Sequence, residues 1–358
     1  MDLDRQLSGG EITNFKSIYE HNFQCITVCY AGAVFTLHTI HKQRPIYQIL
    51  SHLETGHLKS FARDKAVRRW CRSNNVIIHE LNQTGVTRCL ADRDDFTTNF
   101  NRFLDHPIWQ TPTREQLEKL RKDVLITTNQ EMIKLHGVCP KPSKPLEMQQ
   151  IPDEHKADRT ERQCGGETQA LSILNSFLSE RGYNYSSGIS SPNTSWTTCS
   201  RLSPYLTWGN ISLRFVINMT KRRQGELREA KNQNKKGSPN PWLRSLASFQ
   251  SRMHWRSHFI QKLESQPSLE IQDQCLAFSH LRRQPGDFNQ QHFDAWCQGR
   301  TGFPFVDACM RCLIRCGWIN FRMRAMLVSF ATYNLWLDWK IVAPHLARLF
   351  LDYEPGIQ

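Results

Sequence analysis

Apolar residues recur at helical spacing through the second half of the chain. Leu171, Leu174, Phe177 and Leu178 follow one another at helical intervals, which places them on one face of a helix that Gly182 would cap. Further helices are predicted to begin near residue 202 and to span residues 242–263 and 304–316, with an apolar helix pair over 318–339. This half of the chain therefore predicts an all-α domain.

Two stretches of the same half lack this periodicity. Residues 183–200 are rich in Ser, Thr, Pro and Gly and are predicted to form a loop. Residues 221–236 are charged and rich in Gln and Asn. They are predicted to form a solvated surface loop, and a nucleic-acid contact is the alternative.

The first half carries shorter patterns that favour strands. Residues 26–30 and 33–37 contain β-branched and aromatic side chains and are predicted to be strands. Residues 64–74 predict a helix that presents Trp70 on its apolar face, and residues 76–81 predict a short strand. A strand, a helix and a strand at this spacing predict a βαβ unit of a parallel sheet.

A change in composition separates the two halves. Residues 138–165 contain several prolines and charged residues without hydrophobic periodicity, as is typical of a linker. The predicted organisation is an α/β domain over residues 1–137, a linker over 138–165 and an all-α domain over 166–358.

Charge adds a partner class to this picture. The chain has 358 residues, and 46 Lys and Arg against 33 Asp and Glu give a formal net charge of +13. This excess predicts an anionic partner, with phosphate as the natural candidate, and a merely soluble basic protein is the alternative. No apolar stretch is long enough to cross a membrane, and the first residues lack the order of a secretory signal. We expect no membrane association and a cytoplasmic location.

The twelve cysteines are scattered along the chain, which is typical of a reduced intracellular protein. Cys309, Cys312 and Cys316 fall along one side of the predicted helix 304–316. A metal or iron–sulfur site would need a fourth ligand, for which Cys297 is the nearby candidate. Small buried thiols beside an apolar stripe are the favoured interpretation, and no metal site is predicted. The common nucleotide-binding, protease and hydrolase motifs do not occur in the right context.

Three motifs in the second half bear on chemistry. They are Cys-Ser-Arg-Leu-Ser-Pro-Tyr-Leu-Thr-Trp-Gly-Asn-Ile-Ser from residue 199, Gly-Phe-Pro-Phe-Val-Asp-Ala-Cys-Met-Arg from residue 302 and Gly-Trp-Ile-Asn-Phe-Arg-Met-Arg from residue 317. Ser200 and Ser203, at a turn into a helix, can offer hydroxyl and backbone N–H donors to a diphosphate. Ordinary N-capping by Ser200 is the alternative.

In order and spacing, the three motifs resemble the DNA photolyase/cryptochrome flavoprotein family. The resemblance is strong over residues 165–358 and moderate over 46–107, where Ser-His-Leu-Glu-Thr-Gly from residue 51 matches the antenna domain. It implies an incomplete doubly wound parallel sheet followed by an all-α FAD-binding domain, with an unidentified antenna chromophore. Because the family's chains extend further at both ends, we expect a shortened product.

The resemblance implies FAD as the cofactor and assigns roles to matching residues. Tyr185 matches a phosphate-contacting tyrosine, and Arg324 with Asp352 matches a flavin-side ion pair, for which a purely structural pair is the alternative. Gln358 falls where the residue facing flavin N5 stands. The cofactor-binding residues it implies are Tyr185, Cys199, Ser200, Arg201, Leu202, Ser203, Phe249, Arg256, Phe321, Arg324, Asp352 and Glu354.

The family's repair reaction transfers an electron from light-excited reduced flavin to a pyrimidine lesion flipped out of duplex DNA. The resemblance therefore implies damaged DNA as partner and, we expect, a monomer. Trp339 matches the middle relay tryptophan and, with Gln358, is implied as catalytic. Three residues are implied in substrate binding: Arg252, which replaces a Glu, Trp255, which keeps an aromatic wall, and Ala325, which replaces a Met.

The departures at the substrate-binding positions leave two alternatives to a repair enzyme. Phe321 also departs, since it replaces an Asn. Loss of the carboxylate acceptor at Arg252 removes a hydrogen bond to the base edge, worth roughly 1–3 kcal/mol. A cryptochrome-type blue-light photoreceptor without repair activity is one alternative, and an inactive remnant is the other.

Overall fold

The computed structural model describes residues 32–107, 159, 161–233, 240–277 and 285–357. The chain divides into two compact units. One comprises Met1–Gln83 with Asp105–Ala157, and the other comprises Thr84–Leu104 with Asp158–Gln358.

The first unit contains a βαβ unit whose first strand, at residues 48–52, is not predicted from the sequence. Its elements are α1 (Ala33–Gln43), β1 (Gln48–His52), α2 (Leu58–Ser73) and β2 (Ile77–Leu81). The two strands pair in parallel, with Gln48 opposite Ile77 and His52 opposite Leu81, and α2 is the crossover between them. A small core of Trp70, Cys71 and Val76 lies beneath them. The predicted helix 64–74 is confirmed as α2, which begins about two turns earlier. The predicted strand 76–81 is confirmed as β2.

The prediction of a strand over residues 33–37 is wrong, because these residues begin α1. Val34 and Leu37, three residues apart, pack on the core of the first unit, so tertiary packing at helical spacing overrides the strand propensity of the segment. Thr36 donates its hydroxyl to the Gly32 carbonyl at 3.1 Å, back along the helix. The predicted strand 26–30 lies outside the described residues.

The second unit is helical, as predicted. Its α-helices are α3 (Phe96–Asp105), α4 (Glu167–Ser179), α5 (Tyr185–Gly188), α6 (Ser195–Thr198), α7 (Ser203–Thr207), α8 (Leu213–Gln233), α9 (Pro241–Ser265), α10 (Gln290–Gln298), α11 (Pro304–Cys316), α12 (Phe321–Ser329) and α13 (Trp339–Leu349). The structure confirms the predicted helices at α4, α7, α9 and α11. The last residue of α3 falls outside this unit.

Three loop or helix predictions in this unit are corrected. Residues 183–200 contain α5 and α6 instead of one long loop, and their four-residue lengths are too short to show a period. The stretch predicted as a surface loop from 221 continues α8 to Gln233. Its helical period is hidden in the sequence because polar Thr220 and Gln224 occupy the buried face. The predicted helix pair over 318–339 is α12 followed by a π-helical turn, Phe330–Asn334. The next helix, α13, begins only at Trp339.

Gly182 is not the C-cap of α4, since the helix ends at Ser179 and Glu180 takes that position. Gly182 lies instead in a 3₁₀ turn, Arg181–Asn184. A Cβ at Gly182 would approach the Phe177 carbonyl oxygen to 2.5 Å. Glycine is therefore required by a close approach of the chain to the end of α4.

Two apolar clusters form the core of the second unit. One joins α4, α8 and α9 with Phe96, Phe100 and Phe103 of α3, and the other joins α10 to α13 around Trp296, Met310 and Leu313. The aromatic side chains of α3 explain why Thr84–Leu104 packs in this unit, whereas the sequence placed it in the α/β domain. The predicted boundary at 137/138 lies outside the described residues.

Polar contacts fasten the same segment to α9. The Gln261 amide accepts from Thr87 N at 2.7 Å and donates to Thr87 O at 2.9 Å. Ser257 donates to the Thr84 carbonyl at 2.6 Å, and Arg88 pairs with Glu264 at 3.0 Å. These contacts come from successive turns along one face of α9.

Candidate functional site

The turn between α6 and α7, residues 199–203, has an unusual backbone. Arg201 has φ +60°, the left-handed region that few non-glycine residues enter, and Leu202 follows in the right-handed helical region. Such a succession turns neighbouring N–H groups toward one concavity that suits an anion. Within the described ranges, the N–H groups of Arg201 and Ser203 have no hydrogen-bond acceptor. Leu202 occupies the N-cap position of α7, so Ser200 is not the N-cap residue. Ser200 Oγ instead accepts a long hydrogen bond from Leu202 N, at 3.5 Å.

The carbonyl side of this turn is held by Arg181. Its guanidinium donates to the carbonyls of Cys199 at 2.5 Å and Ser200 at 3.3 Å. The same group donates to the Ile173 carbonyl at 3.1 Å and to Ser176 Oγ at 3.0 Å in α4. Arg181 thus connects the turn to α4 through four hydrogen bonds.

Arg201 is held by hydrogen bonds to Gln163 and by contacts with two tryptophan rings. Gln163 donates to the Arg201 carbonyl at 2.9 Å and accepts from Arg201 Nε at 3.0 Å. The guanidinium carbon lies 4.2 Å from the centre of the Trp196 ring and 4.1 Å from that of Trp318, which are cation–π contacts. Trp318 Nε1 also donates to Ser203 Oγ at 3.3 Å.

The electrostatics of the turn favour a bound anion. Burial lowers the pKa of Arg181 and lowers that of Arg201 to about 10. In the part of the chain that the structure describes, neither guanidinium has a carboxylate at ion-pair distance. Buried charges in proteins are normally paired, and a diphosphate would supply the missing negative charge. Burial also raises the pKa of the Cys199 thiol to about 11, so that it is neutral at physiological pH.

Tyr185 and Phe249 lie in the core behind the turn. Tyr185 is buried, and burial raises the pKa of its hydroxyl above the usual value. The Phe249 ring lies 4.7 Å from that of Phe177 and 5.7 Å from that of Tyr185. The predicted cofactor contacts of Tyr185, Phe249 and the buried Leu202 stay predictions.

Two ion pairs fasten the segment 350–357 to the helices. Arg324 of α12 binds both carboxylate oxygens of buried Asp352, at 3.0 and 2.8 Å. Arg256 of α9 pairs with Glu354. Trp208 adds a hydrogen bond from Nε1 to the Leu351 carbonyl at 2.8 Å. The predicted pair of Arg324 and Asp352 is thus present, and its role beside a flavin stays a prediction.

The predicted substrate-binding residues are exposed beside these ion pairs. Trp255 is 45% exposed and Phe321 is 60% exposed, and Arg252 and Ala325 are exposed as well. Arg252 and Trp255 are one turn apart on α9, and Phe321 and Ala325 are one turn apart on α12. We call these four residues the open wall.

Of the two predicted catalytic residues, the structure describes only Trp339. Trp339 is partly buried at the start of α13, and its Nε1 donates to Asp273 at 2.8 Å. Gln358 lies outside the described residues. The role of either residue in electron transfer stays a prediction.

Sequence reasoning missed several residues that build this site, namely Gln163, Arg181, Trp196 and Asp273. Each belongs to a segment without a recognisable motif, and Gln163 meets the turn across 38 positions of sequence. No local signal would have found them.

The thiol cluster in α11 has no metal-site geometry. Cys312 Sγ and Cys316 Sγ are 3.7 Å apart, and Cys316 Sγ donates to the Trp318 carbonyl at 3.2 Å. No group of three or more His, Cys, Asp or Glu among the described residues is placed to hold a metal ion. Of the described helices, none has the length and apolar character needed to span a bilayer.

Comparison with known proteins finds similarity to DNA photolyases and cryptochromes. Residues 249–358 match the family model described as the FAD binding domain of DNA photolyase. Cryptochrome-2 of Arabidopsis thaliana is 34% identical over 189 residues, which are 53% of this chain and 29% of that protein. A deoxyribodipyrimidine photo-lyase of Alkalihalophilus pseudofirmus is 28% identical over 191 residues, 53% of this chain and 36% of that protein. The matched segment spans about a third of the length of these relatives.

Solved structures share the fold. A bacterial class III photolyase from Agrobacterium tumefaciens aligns with a TM-score of 0.73 at 20% identity, covering 97% of this chain and 67% of that one. The cryptochrome of Synechocystis aligns with a TM-score of 0.67, also at 20% identity, covering 98% of this chain and 68% of that one. The family match and the relatives confirm the resemblance seen in the sequence. Residues 249–358 thus match the FAD binding domain of DNA photolyase, and the chain is similar to DNA photolyases and cryptochromes.

Proposed function

We propose that the helical unit holds FAD with its diphosphate at the turn 199–203, and that the chain uses it for light-driven electron transfer to a pyrimidine lesion in DNA. The observation that carries the proposal is the turn itself. Its free N–H groups and the two guanidinium groups without a carboxylate partner, Arg181 and Arg201, together fit a dianionic ligand.

The remaining parts of the site fit the rest of such a ligand. Ser200 and Ser203 would donate hydroxyl groups at the diphosphate. The ion pair of Arg324 and Asp352, together with that of Arg256 and Glu354, would fix the segment 350–357 against the flavin side. Bound reduced FAD would supply, after absorbing blue light, the electron that splits a pyrimidine dimer.

The open wall supports contact with nucleic acid. Exposed Trp255 and Phe321 offer rings on which a base can stack. Arg252 offers a cation for a phosphate at the same surface. These three side chains would orient a flipped nucleotide.

The chemistry of this wall also favours a second candidate function. A thymine edge presents an N–H donor as well as carbonyl acceptors, and the four wall residues provide no side-chain acceptor for that donor. A blue-light photoreceptor, which holds the flavin and repairs nothing, would not need one.

Two measurements test the proposal in order. The purified full chain is mixed with FAD and desalted, and its absorption spectrum is recorded. A flavin band that survives desalting is expected, and its absence would contradict the proposal and favour an inactive remnant. The FAD-bound protein is then given ultraviolet-irradiated DNA under blue light, with a dark sample as control. Loss of lesions only in the light supports the repair enzyme, and photoreduction without lesion loss supports the photoreceptor.

A further inference from the structure

We propose that Arg181 is a positioning residue for the diphosphate-binding turn, an inference that rests on the proposed function. By occupying the carbonyls of Cys199 and Ser200, Arg181 would leave the N–H groups of the turn directed at the ligand. It would thereby set the affinity for ligands that carry a diphosphate.

The hydrogen bonds of Arg181 are all directed at backbone or neutral groups. Two go to the turn and two go to α4, at the Ile173 carbonyl and Ser176 Oγ. A buried guanidinium normally pairs with a carboxylate or a phosphate. No described carboxylate lies at ion-pair distance from Arg181. Because the partly buried Arg181 cation binds carbonyl oxygens, it adds positive potential at the turn and fixes the orientation of the turn.

The surrounding backbone is shaped to hold this arginine in place. Gly182 permits the 3₁₀ turn to lie against Phe177, where a side chain would collide with the Phe177 carbonyl oxygen at 2.5 Å. Arg181 also extends along the Phe177 ring, with its guanidinium carbon 6.0 Å from the ring centre. The side chain therefore has a fixed route from the end of α4 to the turn.

The strain in the turn makes such a holder necessary. Arg201 at φ +60° is disfavoured for a residue with a Cβ, by roughly 1–2 kcal/mol. Backbone in such regions persists only when its surroundings enforce it. Gln163 and the two tryptophans hold Arg201, but Arg181 alone among these residues binds the preceding two carbonyls.

Arg223 provides a matched control. It is also a partly buried arginine that donates to a carbonyl of α4, that of Leu178, at 3.2 Å. It has no contact with the turn, since its other partner is Glu226 at 3.1 Å and its guanidinium lies over Trp242. A general loosening of α4 would follow from either arginine, whereas an effect on the turn would follow from Arg181 alone.

The test compares Arg181→Gln, Arg181→Lys and Arg223→Gln in the full chain. Dissociation constants are measured for FAD and for riboflavin, which lacks the diphosphate. We expect both Arg181 variants to bind FAD at least about tenfold more weakly, since bonds to a charged donor are lost. Riboflavin affinity should not change, and Arg223→Gln should bind both ligands like the parent. The lysine variant keeps the charge but cannot reach all four acceptors.

Amide hydrogen exchange in the ligand-free protein gives a second readout that needs no cofactor. Exchange at residues 200–203 should be faster in both Arg181 variants and unchanged in Arg223→Gln. Parent-like exchange with parent-like FAD affinity would overturn the positioning role, as would equal losses for FAD and riboflavin or full rescue by lysine. A parent chain that binds no FAD would overturn the proposed function itself. Should Arg181→Gln not fold, Ser176→Ala removes one Arg181 acceptor and takes its place.

Discussion

The turn 199–203 and the open wall differ in how many contacts fix them. The turn is held by Arg181, by Gln163 and by the Trp196 and Trp318 rings, and the groups proposed to face the ligand are backbone N–H groups. The wall consists of exposed side chains on two helices, and none of its four members is buried. One region is built from backbone and fixed from several sides, and the other presents side chains to solvent.

This difference indicates that cofactor binding, proposed for the turn, and substrate binding, proposed for the open wall, can change independently. Backbone donors do not depend on side-chain identity, so the turn can keep its anion chemistry while neighbouring side chains vary. A wall of side chains changes its chemistry with each substitution. Similarity to photolyases and cryptochromes therefore supports the proposed cofactor site more strongly than the proposed substrate site.

The largest expected effect comes from the buried ion pair of Arg324 and Asp352. Asp352→Asn leaves the Arg324 guanidinium buried beside a neutral amide, and breaking a buried pair costs about 3–5 kcal/mol of unfolding free energy. Denaturant unfolding measures the loss. The matched control is Glu161→Gln, which breaks an exposed pair with Arg315 at 3.2 Å and should cost less than about 1 kcal/mol. Equal effects of the two variants would show that the Asp352 pair is not structural.

A charge placed in the turn should break its anion chemistry. Ser203→Asp puts a carboxylate where the diphosphate is proposed to lie, and we expect a loss of FAD affinity on the order of a hundredfold. Fluorescence titration with FAD measures it. Ser187→Asp introduces the same charge at an exposed site in α5 and should bind FAD like the parent. A Ser203→Asp chain that retains full FAD affinity would place the diphosphate elsewhere.

The parts that the sequence predicted share a physical reason. Helices α4, α9 and α11 show their apolar face directly, and the Pro and Gly at the ends of α11 are local signals. The full length of α8 is hidden in the sequence because Thr220 and Gln224 lie on its buried face. Residues 33–37 favour a strand by local propensity, because the partners that pack on α1 are distant in sequence. The motif located the turn, but its supports, such as Gln163 and Arg181, come from other segments and carry no local pattern.

Stacking at the open wall should be separable from FAD binding. Trp255→Ala removes an exposed ring, and loss of base stacking is worth about 1–3 kcal/mol, which is roughly a 5- to 150-fold loss of affinity for irradiated single-stranded DNA. FAD affinity should not change. Tyr333→Ala, at another exposed aromatic residue on the π-helical turn, serves as the control. Parent-like DNA binding by Trp255→Ala would remove the wall from the proposed interface.

The smallest expected effect concerns pH, and it separates the two regions by their titratable groups. Of the groups whose pKa is shifted at the turn, burial raises those of Cys199 and Tyr185 and lowers that of Arg201 to about 10. All three keep one charge state between pH 6 and 8. Beside the wall, His258 lies against Trp255, with ring centres 5.7 Å apart, and Phe96 packs on both His258 and His254.

Burial lowers the pKa of His254 and His258 below the usual value, and for His258 the nearby Arg93, His254 and Lys262 lower it further. The unfolded chain therefore binds more protons, so their contribution to stability is complete above about pH 6.5 and is lost as pH falls below it. Because both rings are partly exposed, we expect at most about 0.5 kcal/mol between pH 7 and 5. Thermal unfolding of the parent and of a His254→Gln, His258→Gln variant measures this, and the variant should lose that part of the slope. At each pH from 6 to 8, FAD affinity should be the same in the parent and in this variant, and a difference between the two chains would contradict the separation of turn and wall.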